Sequence, residues 1–211
     1  SRTLVNAALL QTQGPATIAD GVSSLLKTVN AASQTGAVNQ FLGSTPVATN
    51  VGYPAASVYN EVPPGTQTLN FEATATPGAT IASVVGTLGA SSDQSVFVTG
   101  LPGALQAIVL NDLNIPPISG NVRVRFVNTT AGVGPVTIQV DATPQVSGLA
   151  APNASPYVNL GAATVTLTFL DATSGLPLLT VPNVVLTANQ TSTVYLTGTP
   201  GNVASLITLD N

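Results

Sequence analysis

The sequence predicts an all-β chain: two tandem immunoglobulin-like or transthyretin-like antiparallel β-sandwiches. Three observations carry that expectation. Apolar and polar residues alternate with period two in several short runs, the pattern of strands with one face buried. Turn signals recur along the chain at roughly 8–12-residue spacing, as in sandwich folds. Most telling, a shift of 98 residues lays residues 23–112 on 121–210 without a gap, and about 22 of the 90 pairs are identical. Self-similarity held in one register over that length marks a duplication.

Taken in order, the chain divides into an extension (1–22), a first repeat (23–114), a linker (115–120) and a second repeat (121–211). The extension lies outside the duplication. Its run Thr3-Leu4-Val5-Asn6-Ala7-Ala8-Leu9-Leu10-Gln11-Thr12 reads as one strand, broken at Gly14-Pro15. A lone strand has backbone groups and leucines that must find a sheet edge. Two arrangements satisfy it: folding back on its own first sandwich, or adding to a neighbouring molecule's sheet. In the second case Leu4, Val5, Leu9 and Leu10 are the expected subunit-contact residues.

Each repeat reads as roughly seven short strands, the count of an immunoglobulin-like sandwich. In the first, Thr66 to Phe71 places Gln67, Leu69 and Phe71 on one face. In the second, Val122-Arg123-Val124-Arg125-Phe126 alternates apolar residues with arginine. Thr164-Val165-Thr166-Leu167-Thr168-Phe169 sets threonines on the wet face and Val, Leu and Phe inside. Turns fall at Pro63-Pro64-Gly65, Thr76-Pro77-Gly78, Leu101-Pro102-Gly103, Ser174-Gly175 and Thr199-Pro200-Gly201. No run of a dozen residues carries a capped helical stripe. The linker Ile115-Pro116-Pro117-Ile118-Ser119-Gly120 owes its stiffness to paired prolines.

Composition excludes much. The chain has no His, Cys, Met or Trp, and only four Lys plus Arg and eight Asp plus Glu, for a net charge of −4. Mean hydropathy is +0.41, so polarity must come from Thr, Ser, Asn and Gln. Nothing here neutralises a run of phosphates, which excludes nucleic acid as a partner. The longest apolar runs fall far short of the roughly 20 residues of a spanning helix, so no membrane insertion is expected.

Catalytic chemistry finds few groups to use. A Ser–Lys dyad would need Lys27, the one lysine, which reads as a solvated strand residue whose twin is Arg125. Glycosidases need two facing carboxyls, but Glu61 and Glu72 have Asn159 and Leu170 as twins. The carboxylates therefore read as exposed loop residues. Without imidazole or thiolate there is no transition-metal set. Calcium needs clustered carboxylates, and Asp112 and Asp210 each read as standing alone near a strand end. An internal isopeptide would have to use Lys27, with no Asn or catalytic carboxylate marked for it. The expectation is no catalytic residue, no metal and no cofactor. Asn128, Asn153 and Asn189 head N-x-S/T sequons, which matter only in a glycosylating host.

Several of these features recur in one order. Val29-Asn30 and Val127-Asn128 end a strand; a glycine loop, a second strand and a short turn at Thr45-Pro46 or Thr143-Pro144 follow. Then come Ala56-Ser57-Val58-Tyr59 or Ala154-Ser155-Pro156-Tyr157, the alternating Thr-x-Thr-Leu-x-Phe strand, and Thr99-Gly100 or Thr197-Gly198. This order resembles the bacterial and archaeal family known as domain of unknown function 4397, over residues 23–211 as two tandem copies. The chain departs from it at the second strand, where Asn39 and Thr137 replace a frequent acidic residue, so a site built on that carboxylate is not carried over. The resemblance implies an exported or cell-surface protein and no particular reaction. A start at Ser1 rather than Met matches removal of a signal peptide.

Together these readings point to a secreted, non-catalytic structural subunit of a cell-surface assembly. Its scarce charge favours self-association into a homopolymer, a filament joined by the N-terminal strand. The rival reading is a cell-surface adhesin or carbohydrate-binding module with surface glycans as partners. That reading requires an exposed aromatic platform.

Overall fold

The computed structural model describes residues 7–9, 17–19, 23–113 and 115–210, and no helix occurs among them. Ala7–Leu9 (β1) pairs antiparallel with Thr17–Ala19 (β2) in a two-stranded sheet of its own. The extension, read from sequence as one strand, thus contributes two short ones. Of the contact residues expected there, Leu4, Val5 and Leu10 lie outside the described residues, as does the side chain of Leu9.

The first half runs Ser24–Asn30 (β3), Val38–Leu42 (β4), Thr45–Val51 (β5), Ala55–Val62 (β6), Gly65–Ala73 (β7), Thr80–Leu88 (β8), Asp93–Thr99 (β9) and Gln106–Asp112 (β10). The second runs Asn121–Asn128 (β11), Val136–Val140 (β12), Thr143–Leu149 (β13), Val158–Gly161 (β14), Ala163–Asp171 (β15), Pro177–Leu186 (β16), Thr191–Thr199 (β17) and Asn202–Leu209 (β18). The two halves are similar sheet pairs. The first stacks β10-β9-β3-β6 on β5-β4-β7-β8; the second stacks β14-β11-β17-β18 on β13-β12-β15-β16. This is the expected all-β architecture of two sandwiches, with eight strands per half rather than seven. The additional strand begins where Thr45-Pro46 and Thr143-Pro144 read as turns. Both prolines sit in edge strands, where no N–H is owed to a neighbour.

Period-two alternation decides what each sandwich encloses. Leu69 and Phe71 of β7 meet Leu26, Val96 and Val98 from the facing sheet. Their counterparts Leu167 and Phe169 of β15 meet Val124, Phe126, Val194 and Leu196. Asn30 and Asn128 close the ends of β3 and β11 from inside. Asn30 Nδ2 donates to the carbonyls of Gly36 and Val51, and Asn128 Nδ2 donates to that of Leu149. Asn128 is therefore a buried tie, whereas the sequons at Asn153 and Asn189 are exposed.

The central strands depart from alternation. β9 and β17 are buried almost throughout, on both faces. Each also lies parallel to its neighbour, β3 or β11, within an otherwise antiparallel sheet. Burial on both faces is the mark of a layer covered from two sides. The cover on the second side is the other half: Val29 and Phe97 pack against Val127 and Tyr195 in a separate apolar cluster. Phe97 and Tyr195 are duplication twins and meet edge to face, centroids 6.1 Å apart. The inner sheets thus stack face to face about a pseudo-twofold axis.

The Thr-Gly pairs finish this contact. Thr99 Oγ1 donates to the Thr129 carbonyl at 2.5 Å, and Thr197 Oγ1 donates to the Ala31 carbonyl at 2.7 Å. The chain must then turn sharply. Gly100 and Gly198 do so at φ +105° and +109°, where a Cβ would sit 2.5 Å from the Ala104 oxygen or collide with that of Asn202. Only glycine suits that backbone. Gly198→Ala should cost more than about 1 kcal/mol, read as a lower denaturant midpoint at unchanged slope. Gly161→Ala, whose Cβ enters open space, should shift stability by less than about 0.5 kcal/mol.

Candidate functional site: a buried charge quartet between the halves

The strand faces turned away from each sandwich core carry more than Val29 and Val127. On β3 that face also presents Lys27, and on β11 it presents Arg125. Asp112 and Asp210 close β10 and follow β18. Sequence reading placed Lys27 in solvent and the two aspartates singly at strand ends; the structure corrects all of these. Lys27 is 3% exposed and Arg125 4%, while both carboxylate side chains are fully buried. The reason is the second layer: a polar face beside apolar alternation is wet only if nothing stacks on it.

The four charges are arranged crosswise. Lys27 Nζ lies 2.7 Å from Asp210 Oδ1, and Arg125 Nη2 lies 2.5 Å from Asp112 Oδ1, so each cation's close partner belongs to the other half. The within-half approaches are longer, 4.0 Å for Lys27–Asp112 and 3.8 Å for Arg125–Asp210. Two cations and two carboxylates leave the cluster neutral, which burial demands.

Every charged terminus is also hydrogen-bonded. Lys27 Nζ donates to the Leu209 carbonyl at 2.8 Å and to Thr208 Oγ1 at 3.2 Å besides Asp210. Arg125 Nη1 donates to the Asn111 carbonyl, and its Nε and Nη2 share Thr193 Oγ1. Asp112 Oδ2 accepts from Tyr59 Oη at 2.6 Å and Ser95 Oγ at 2.5 Å. Asp210 Oδ2 accepts from Tyr157 Oη at 2.8 Å and Thr193 Oγ1 at 2.6 Å. The tyrosine rings do a second job, since Lys27 Nζ lies 4.7 Å from the Tyr59 centroid and Arg125 Cζ 4.8 Å from that of Tyr157. Such cation–π contacts gain strength when desolvated.

The serine two residues before each tyrosine takes up a backbone N–H of the adjacent strand, β3 or β11. The β3–β6 ladder slips between Lys27 and Val29. There the Thr28 N–H donates to Ser57 Oγ at 3.0 Å, and Ser57 Oγ donates to the Val58 carbonyl. In the second half, the Phe126 N–H donates to Ser155 Oγ at 3.0 Å, which donates to the Pro156 carbonyl. Ala-Ser-x-Tyr is thus one device: serine patches the ladder and tyrosine reaches the carboxylate.

Burial pushes the phenols of Tyr59, Tyr157 and Tyr195 well above the ordinary value of 10. Asp112 adds to the effect at Tyr59, and Asp210 adds to it at Tyr157 against the opposing pull of Arg125. Desolvation pulls the Arg125 guanidinium down, but Asp112, Tyr157 and Tyr195 together raise it above its ordinary value. A groove of about 420 Å³ borders the cluster, lined by Val58, Tyr59, Leu206 and Leu209 among others, with Lys27 at its floor. No group of three or more potential metal ligands occurs among the described residues.

Sequence reasoning missed the quartet, yet one signal could have found it. Of the twelve charged residues, only Lys27/Arg125 and Asp112/Asp210 keep their charge type across the 98-residue shift. The other carboxylates meet uncharged twins, as Asp93 meets Thr191.

Residues 24–139 match the family described as Domain of unknown function (DUF4397). The chain belongs to that family. The DUF4397 match takes in the whole first half, the Pro-rich segment and the second half as far as β12. No curated protein matches the chain. Among solved structures, the carbohydrate-binding module CBMbc of Eubacterium rectale Amy13K, solved with maltoheptaose, is 11% identical over 87% of this chain and 97% of its own (TM-score 0.30). A candidate cell adhesion protein of Bacteroides uniformis is 10% identical over 90% and 98% (TM-score 0.30). The fimbrial anchor protein Mfa2 of Porphyromonas gingivalis is 8% identical over 89% and 97% (TM-score 0.22). Likeness at these scores decides nothing about a DUF4397 site.

Two outcomes are expected of the quartet. Lys27→Ala leaves Asp210 buried without its close cation and should cost about 3–5 kcal/mol, measured by denaturant unfolding. The raised phenols give an alkaline limit. Near pH 10 the unfolded chain releases tyrosine protons that Tyr59, Tyr157 and Tyr195 keep when folded. Their contribution is therefore fully present below pH 10 and is lost as pH rises beyond it. Phenolate absorbance of these three should appear together with loss of the β circular-dichroism signal, not before it.

Proposed function

We propose that this chain is a secreted, non-catalytic structural subunit of a cell-surface assembly, a filament in which the N-terminal strand of one subunit adds to a sheet of the next. In this reading residues 1–22 are the extension and carry Leu4, Val5, Leu9 and Leu10 as contacts. Residues 23–114 and 121–211 are the two repeats, with 115–120 between them.

The observation that carries the reading is the quartet. It consumes the groups that catalysis would recruit, including the one lysine and two buried carboxylates, in holding the halves together. What remains outside is poorly defended against association. Eight of the twelve charged residues are left (12 − 4), two cations and six carboxylates, carrying the whole net charge of −4. Charge of both signs is what keeps ordinary monomers apart.

Edge strands supply a place for an added strand. In the outer sheets, Pro46 interrupts β5, Pro144 interrupts β13, and Pro177 and Pro182 interrupt β16. β8 is the remaining outer-sheet edge and has no proline. Proline on an edge blocks strand addition, so β8 is the proposed receiver. Glycan recognition is less well supported. Phe71, Phe97, Phe126, Phe169 and Tyr195 are buried, and Tyr59 and Tyr157 turn to the carboxylates, leaving Phe41 and Tyr53 half-buried.

Negative-stain microscopy of the full chain and of a variant lacking residues 1–22 tests the proposal. Filaments from the full chain, and folded monomers from the truncated one, are expected. Monomers of both across a wide concentration range would overturn it.

A further inference from the structure

Lys27 is the one primary-amine side chain in the sequence, and it is buried against a carboxyl group. We propose that Lys27 Nζ and Asp210 Cγ are joined by an amide, an internal crosslink formed by the folded protein with loss of one water.

Four features of the quartet carry this. The reacting groups are already in contact, Nζ 2.7 Å from Oδ1, on side chains almost wholly removed from solvent. Holding reactants so is worth a large effective concentration. The other oxygen, Oδ2, accepts from Tyr157 Oη and Thr193 Oγ1, with Arg125 Nη2 3.8 Å away. Those donors stabilise the oxyanion that attack on Cγ creates. A second carboxylate, Asp112, stands 4.0 Å from Nζ and its charge helps hold the lysine head against the acid. Finally, the amide removes one positive and one negative charge together, leaving Arg125 and Asp112 as a balanced pair 2.5 Å apart.

The step balances without a co-reactant. Of the three protons on the Lys27 ammonium, one passes along the 2.7 Å contact to Asp210 Oδ1, which frees the nitrogen lone pair and leaves a neutral acid for attack at Cγ. A second moves from the attached nitrogen to the same Oδ1, which leaves as water while the C=O of Oδ2 reforms. The third proton stays on the amide nitrogen.

The duplication supplies an internal contrast. Arg125 meets Asp112 just as closely, but its delocalised guanidinium stays protonated and is no nucleophile. The crosslink therefore forms once, tying residue 27 to residue 210 across the halves.

Intact mass of the denatured full chain is the test. The expected value lies one water below that calculated from the sequence, tryptic cleavage after Lys27 is lost, and the peptides holding Lys27 and Asp210 are recovered joined. Asp210 precedes Asn211, and a cyclic imide there would lose the same mass. Lys27→Arg separates the two, since it keeps the charge and copies the second half. The deficit vanishes in Lys27→Arg if the crosslink is its source. A full calculated mass for the unaltered chain overturns the proposal, as does a deficit that persists in Lys27→Arg. Should that variant fail to fold, the joined or separate state of the two peptides from the unaltered chain decides.

Discussion

The rest of this structure depends on charge neutrality in a dry layer. Lys27 and Arg125 sit between two inner sheets where an unpaired ion would cost several kcal/mol. Each finds its close carboxylate only on the opposite half. Neither sandwich can leave without stranding a cation and an anion of its own, so the halves form one body although each encloses a separate apolar core. The pseudo-twofold follows from the same requirement. When twin residues face each other across an axis, one cation and one acid per repeat suffice to neutralise both.

That constraint also explains the short motifs. Burying β3 and β9 on both faces obliges every polar atom there to find a protein partner. Ser57 takes the Thr28 N–H that the ladder slip releases, Tyr59 occupies Asp112, and Thr99 reaches a carbonyl of the other half. Ser155, Tyr157 and Thr197 repeat these tasks. Several identities of the duplication fall at the joint, Val29, Ser57, Tyr59, Thr99 and Asp112 among them, while Leu69, Phe71 and Val96 recur in the sandwich core. Elsewhere in that core Leu26 and Val98 meet Val124 and Leu196, exchanges that apolar packing tolerates at similar volume.

Fold class was legible because alternation and turn residues report local geometry directly. Val165, Leu167 and Phe169 face inward as the Thr-x-Thr ribbon predicts, and the two halves form similar sheet pairs. The joint was not legible by the same means. Alternation says that Arg125 and Phe126 point to opposite faces; it does not say whether the second face meets water or another sheet. Lys27 therefore reads from sequence as solvated, the usual place for a lone cation. Recognising the joint needed a different comparison, between the twins rather than along the strand. A charge retained at both copies of a position, in a chain that discards charge elsewhere, has a cost that only a paired site offsets.

Placing a third of the charged residues inside leaves the outside to hydroxyls and amides. Ordinary sheet proteins guard their edges with lysine and mixed surface charge; this chain has no lysine to spare, since the one it has serves the joint. Proline takes over at β5, β13 and β16, where it removes a donor at no charge cost. β8 and β16 are twins, yet only β16 carries prolines and a residue at positive φ, Asn183 at +60°. Protection is thus unequal between halves that are otherwise near copies. In the proposed filament, the difference between β8 and its proline-bearing counterparts supplies the direction that a head-to-tail polymer requires and a symmetric dimer does not.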